Sequence, residues 1–209
     1  MSMIKFGACA ILASMCLVLM CLTPSTQAKA GPLPLTATTQ IDVEAMWTTF
    51  CTAKSGLVCG TPAISAIGTP NGGNFEILAG PARSDRIGLL IYNNAPTIPA
   101  TPYEGGWLCL DGNAAQLRRA GPVNSSSPPH GGSSCPPTLD CTGVFWINMS
   151  EFEAGAWVPK DCVGNPSGLL SKVPQAYLSM PGAIIRCTWW GRDSVATGSF
   201  VSDGLEYIR

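Results

Sequence analysis

The sequence predicts an all-β domain: a single disulfide-stapled β-sandwich, of jelly-roll or immunoglobulin-like kind, with long loops. Three observations carry that expectation. The 209 residues include 23 glycines and 18 prolines, too many for a helical bundle and without the three-residue period of collagen. Short runs rich in β-branched and aromatic residues alternate with turn signals along most of the chain. The cysteines that follow a leader-like N-terminus suit a disulfide framework in an oxidising compartment.

Taken in order, the N-terminus has one early cation, Lys5, then an uncharged apolar run over residues 6–22, then Thr23-Pro24 and Ala28-Lys29-Ala30. This reads as a secretory signal peptide over residues 1–30, cut after Ala30 with Ala28 as second choice. The apolar run is shorter than the roughly 20 residues a spanning helix needs, so no stable membrane insertion is expected after cleavage. Residues 31–46, with Pro32, Pro34 and a threonine-rich run, offer little to bury and form a lead-in linker. The sandwich domain is assigned to residues 47–209, a length that supports one buried core.

Cleavage leaves seven of the ten cysteines: Cys51, Cys59, Cys109, Cys135, Cys141, Cys162 and Cys187. Cys51 and Cys59 bracket a short loop with a glycine hinge, which favours their mutual pairing; closing that ring constrains the unfolded chain by about 2.6 kcal/mol. An odd total leaves one thiol unpaired or bridged to another molecule, and spacing does not say which.

Strand composition recurs at residues 63–67, 75–78, 87–92, 107–110, 116–119, 144–149, 176–178, 184–190 and 205–208. In the run from Ala183 to Trp190, alternation puts Ala183, Ile185, Cys187 and Trp189 on one face, the better core face, and Ile184, Arg186, Thr188 and Trp190 on the other. Residues 121–140 are too poor in apolar side chains for a strand and are expected to be a mobile surface loop. A second long connection spans about 151–173. Cys135 in the first and Cys162 in the second would gain most from a mutual bridge.

Charge narrows the function classes. Charged residues are 12% of the chain, against about 25% in typical domains, with 12 Lys and Arg balancing 13 Asp and Glu. There is no basic surplus to neutralise a phosphate backbone, so nucleic acid is not an expected partner. Export would remove Lys5 and Lys29 and leave 10 cations against those 13 acids, a mildly acidic product.

A set of local motifs spans the chain from about Trp47: Phe50-Cys51-Thr52-Ala53-Lys54 with Cys59-Gly60-Thr61-Pro62, Gly88-Leu89-Leu90, Gly106-Trp107-Leu108-Cys109, Leu117-Arg118-Arg119, Asp140-Cys141-Thr142-Gly143, Pro181-Gly182, and the closing Trp189-Trp190-Gly191-Arg192-Asp193 with Ser202-Asp203-Gly204-Leu205-Glu206-Tyr207. The pattern resembles that of a large family of secreted, β-rich bacterial proteins, often present in many copies per genome. The resemblance implies export and a β-rich domain; it implies no particular activity. Members of that group usually run on to a terminal Cys-Pro, whereas this chain stops at Ile208-Arg209. If the missing cysteine is the usual partner of Cys109, the resemblance implies Cys109 as the free thiol and pairs Cys51–Cys59, Cys135–Cys162 and Cys141–Cys187.

Candidate chemistry is sparse. The only imidazole is His130, set among prolines and glycines where a general base would lack fixed geometry, so a Ser/His/Asp centre is not expected. Carboxylate pairs for glycoside hydrolysis could come from Glu151 and Glu153 or from Asp193 and Asp203; surface solvation of the glutamates and ion pairing of the aspartates are the simpler readings. Arg118, Arg119 and Arg192 are expected to pair with Asp193 or Asp203 and so pin the chain ends, with an anion pocket as the functional alternative. Asp111-Gly112-Asn113 carries part of a calcium loop but reads better as a hairpin turn. No CxxC pair occurs, so neither metal nor cofactor is expected. Of six tryptophans, Trp157, between Gly155 and Pro159, and Trp190 are the candidates for stacking on a ligand.

These features predict a non-catalytic secreted protein, extracellular, periplasmic or at the cell surface, with a structural, adhesive or display role. A carbohydrate-binding module using exposed tryptophans is the alternative. The expected partners are a polysaccharide or an envelope protein.

Overall fold

The computed structural model describes residues 47–51, 58–95, 100–103, 106–111, 117–131, 140–194 and 198–209, with the backbone alone for Asp193 and Ser194. The leader, the lead-in and Cys135 lie outside the described residues.

The chain alternates short strands with turns, as its composition requires, and the strands sort into two main antiparallel sheets and a ribbon. The large sheet runs β1 (Trp47–Phe50), β11 (Gly204–Ile208), β9 (Ile184–Ser194), β4 (Ile87–Asn93), β7 (Arg118–Asn124), with β10 (Gly198–Val201) also paired to β9. The small sheet runs β2 (Ala63–Ile67), β3 (Glu76–Ala82), β8 (Gly143–Asn148). A ribbon of β5 (Thr101–Tyr103) and β6 (Gly106–Leu108) lies apart from both.

Alternation decides what is buried between the sheets. From the large sheet Leu90, Tyr92, Ile185, Cys187, Trp189, Leu205 and Tyr207 meet Ile64, Ile77, Ala79, Phe145 and Ile147 of the small sheet in one core cluster. The predicted core face of β9 is therefore the observed one, and fully burying each such large side chain contributes about 1.5–3 kcal/mol. The opposite face carries Ile91 and Trp190 into a second, smaller cluster with Leu108, Leu110 and Tyr103 of the ribbon region.

Two strands extend past their predicted ends by the same device. Ala79 pairs with Phe145 and Ala82 with Gly143, so Gly80-Pro81 faces Val144 alone. Leu90 pairs with Ala120 and Gly88 with Val123, so Gly121-Pro122 faces Leu89 alone. Proline cannot donate to a ladder, and a bulge lets the strand absorb it instead of ending there.

The segment expected to be a loop from residue 121 is built differently. β7 continues to Asn124, and Ser125, Ser126 and Ser127 are buried because their hydroxyls serve backbone groups that burial cuts off from water. Ser125 Oγ donates to the Arg83 carbonyl and accepts from the Arg86 N–H, Ser126 Oγ accepts from the Asp85 N–H, and Ser127 Oγ donates to the Asn124 carbonyl. Residues 176–178, expected as strand, lie in a single 3-10 turn (Ala176–Ser179) that buries Leu178. The connection after residue 149 opens with a short helix, α1 (Met149–Glu153), capped by the Asn148 side chain accepting from the Glu151 N–H.

The cysteine pairing differs from the expectation. Cys51 bonds to Cys109, and Cys59 to Cys141. Cys51 follows β1 in the large sheet while Cys59 leads into β2 of the small one, so the two cysteines belong to different layers. β2 and β8 flank β3 and start beside the same end of it, with Ala63 against Gly80 and Gly143 against Ala82, which brings the cysteines upstream of each together. Cys109 is thus not the free thiol. Among the described residues the free thiol is Cys187, buried in β9 with its thiol directed at the Leu205 carbonyl. Cys162 is also disulfide-bonded, to a cysteine outside the described residues.

Candidate functional site

The β5–β6 ribbon stands over the outer face of the large sheet and leaves a cleft of about 390 Å³ between them. Its floor follows from register: Leu89 pairs with Trp190 and Ile91 lies beside Arg119, so alternate residues of β4, β9 and β7 point the same way. Thr101, Tyr103 and Leu108 of the ribbon form the wall, and Leu117 joins the lining. The Cys51–Cys109 bridge ties the residue after β6 to the end of β1 and so holds the ribbon to the sheet.

Within the cleft the polar groups are largely committed to one another. The Trp190 Nε1–H donates to the Tyr103 hydroxyl at 2.8 Å, and the Thr101 hydroxyl donates to the Leu110 carbonyl at 3.2 Å. The Trp190 indole remains half-buried, and Arg119 is exposed with no ion pair to any described carboxylate. A shallower hollow of about 410 Å³ shares Leu117 and Arg119 with the cleft and adds Arg118, Lys172 and Val173. The described lining residues of both hollows include three cations and no acid.

Of the two tryptophans expected to be exposed, Trp190 lines this cleft and Trp157 does not reach a surface. Trp157 is 4% exposed and packs edge-on against Trp146, with ring centroids 5.0 Å apart. Trp146 lies on the outer face of the small sheet, and its exposure there would be costly. Trp157, the His130 ring at 5.5 Å and the Lys160 ammonium at 5.9 Å cover it, while its Nε1–H donates to the Ser127 carbonyl. His130 is held by that contact and by a 2.6 Å pairing of its Nε2 with Glu76. Trp107, on the far side of the ribbon, is the tryptophan left half-exposed.

Two ion pairs form between residues other than those expected to pair. Arg209 pairs with Glu153 and Arg186 with Glu206 at 2.7 Å, pinning the last strand to α1 and to β9. Arg118 donates to the Leu117 carbonyl and its charge lies near Tyr92 and Tyr177. Arg119 lines the cleft, Arg192 is exposed, and the Asp193 side chain lies outside those described. Asp203 makes contacts of its own, beside the Ser202 that stitches β9 to β11 through Thr188 and Trp189.

Glu151 is solvated as expected, but Glu153 is not: its side chain is 3% exposed beside Arg209. Burial pushes its carboxyl up to about 7, against the opposing pull of the Arg209 guanidinium. Burial likewise raises the Tyr92 and Tyr207 hydroxyls and the Cys187 thiol well above their ordinary ranges, and Tyr177 to about 12. The three tyrosines and the thiol stay neutral at physiological pH, a property of core packing, whereas Glu153 titrates within that range. Among the described residues no three His, Cys, Asp or Glu side chains gather to hold a metal, and no helix is long and apolar enough to cross a membrane. Compared with known proteins, the chain matches no family model, no curated protein and no solved structure.

Proposed function

We propose that the chain is exported and acts as a non-catalytic structural, adhesive or display domain at or beyond the cell envelope. The observation that carries this reading is that its reactive side chains serve as clasps. His130 is locked to Glu76 and Trp146, Glu153 to Arg209, and Arg186 to Glu206. Disulfides that join strands distant in sequence favour a compartment where thiols stay oxidised. The test is expression of the full chain in an exporting host, followed by N-terminal sequencing and thiol counting of the exported product. A product beginning at Gly31 or Lys29 with its disulfides formed is the expected result; retention in the cytoplasm with reduced thiols would overturn it. Turnover of any member of a chromogenic ester and glycoside panel would end the non-catalytic part.

The half-buried Trp190 over a defined cleft favours a second reading, a binding module. Trp157 has no part in it, because it is buried against Trp146.

A further inference from the structure

We propose that the cleft between the large sheet and the ribbon binds an amphipathic anion: an aromatic ring or short acyl chain carrying one carboxylate or phosphate. This rests on the binding-module reading of the same cleft and names its ligand class. The apolar body would lie between Trp190, Tyr103, Ile91 and Leu108, and the anionic group would meet Arg119 on the side of Lys172.

Three features select this class. First, the cleft has the volume of a small-molecule site, at the lower end of the usual range of roughly 300–1,000 Å³. Second, a neutral sugar needs several free donors and acceptors, and here the Trp190 Nε1–H, the Tyr103 hydroxyl and the Thr101 hydroxyl already have partners within the wall. Displacing those half-buried bonds would give up hydrogen bonds the wall already makes, at about 0.5–1.5 kcal/mol each. Third, the charged residues described in the lining have one sign. Arg119 has no carboxylate partner among the described residues, Lys172 borders the adjoining hollow, and no acid is among the described residues that line either, in a chain whose acids outnumber its bases. A guanidinium at the rim of an apolar cleft recognises carboxylate and phosphate through paired N–H donors.

The test titrates the exported protein with 4-phenylbutyrate, with 4-phenylbutanamide as its neutral match, and with cellobiose, read by tryptophan fluorescence and calorimetry. Vesicles of phosphatidylglycerol and of phosphatidylcholine form a second arm. The acid is expected to bind about tenfold more tightly than the amide, and Arg119→Gln, a surface change, to erase that difference while leaving the amide unchanged. Trp190→Phe should remove most of the fluorescence response while the acid still registers by calorimetry. Binding to phosphatidylglycerol vesicles alone, lost in Arg119→Gln, would identify a lipid as the source of the same chemistry; binding of the free acid alone would identify a soluble ligand. Equal affinity for acid and amide, or no effect of Arg119→Gln on whichever anion binds, would overturn the proposal. Cellobiose binding without the acid would overturn it too, yet keep the binding-module reading. Silence from every probe would remove both.

Discussion

Gly88 and Gly191 lie opposite one another across the β4–β9 ladder, and the ring of Phe145 from the facing sheet rests against both. A Cβ on Gly88 would come 2.6 Å from that ring, and one on Gly191 would come 2.4 Å from Phe200 and 3.1 Å from Phe145. The paired glycines form a flat notch in the large sheet, into which two aromatic rings pack with their centroids 5.3 Å apart.

Filling that notch should therefore destabilise the fold. Gly191→Ala is expected to cost about 1–3 kcal/mol, the usual penalty for overpacking a core. Gly73→Ala, where an added Cβ meets nothing within 4 Å, serves as the control and should change stability by less than about 0.5 kcal/mol. Urea unfolding of the two variants decides the matter; equal midpoints would mean the rings do not occupy the notch.

The two described bridges close long segments, of 58 and 82 residues. Replacing both members of either pair by serine should lower stability by about 2–4 kcal/mol, up to the full chain-entropy figure. A non-reduced peptide map should recover Cys51 with Cys109 and Cys59 with Cys141. A Cys51–Cys59 peptide would show that β1 and β2 are misassigned to different layers.

Glu153 makes stability depend on pH. Its carboxyl titrates near 7 in the folded chain against 4.5 ordinarily, so between those values the folded chain holds a proton that the unfolded chain has lost. Stability is then greatest below about pH 4.5, falls as pH rises to about 7 and levels off above, by about 3 kcal/mol from this group. Melting temperatures of the native chain and Glu153→Gln across pH 5–8 isolate the effect: the difference between them should grow with pH, and a constant difference would count against burial of the charge.

Cys187 is enclosed on all sides, and burial keeps its thiol protonated far above neutral pH. Only the thiolate reacts quickly, so iodoacetamide should leave Cys187 untouched in the native protein and modify it after denaturation without reductant. Rapid native labelling at this position would place β9 at an exposed edge of the sheet.

Much of the fold was legible because strands declare themselves through period-2 alternation. The run from Ala183 to Trp190 separates a core face from an outer face with no knowledge of its neighbours, and the same pattern places Trp190 where the cleft floor lies. The cleft itself was not legible, since Tyr103 and Arg119 become neighbours only when the ribbon folds onto β4 and β7. Trp157 was misread for a related reason: flanking glycine and proline describe a loop, but what the loop covers depends on how it folds back onto Trp146 of β8. His130 gained a fixed setting from Glu76 in the same way.

The sequence by itself determined the β-rich class, the turn-bounded strands and the core-facing side of β9, because those depend on interactions a few residues long. Only the tertiary structure decided the partners: which cysteine bonds which, which arginine meets which acid, and which tryptophan stays exposed. A covalent or ionic partner is chosen by distance in space, and here the strand order carries Cys51 and Cys59 to different sheets while bringing Cys59 and Cys141 to one end of β3.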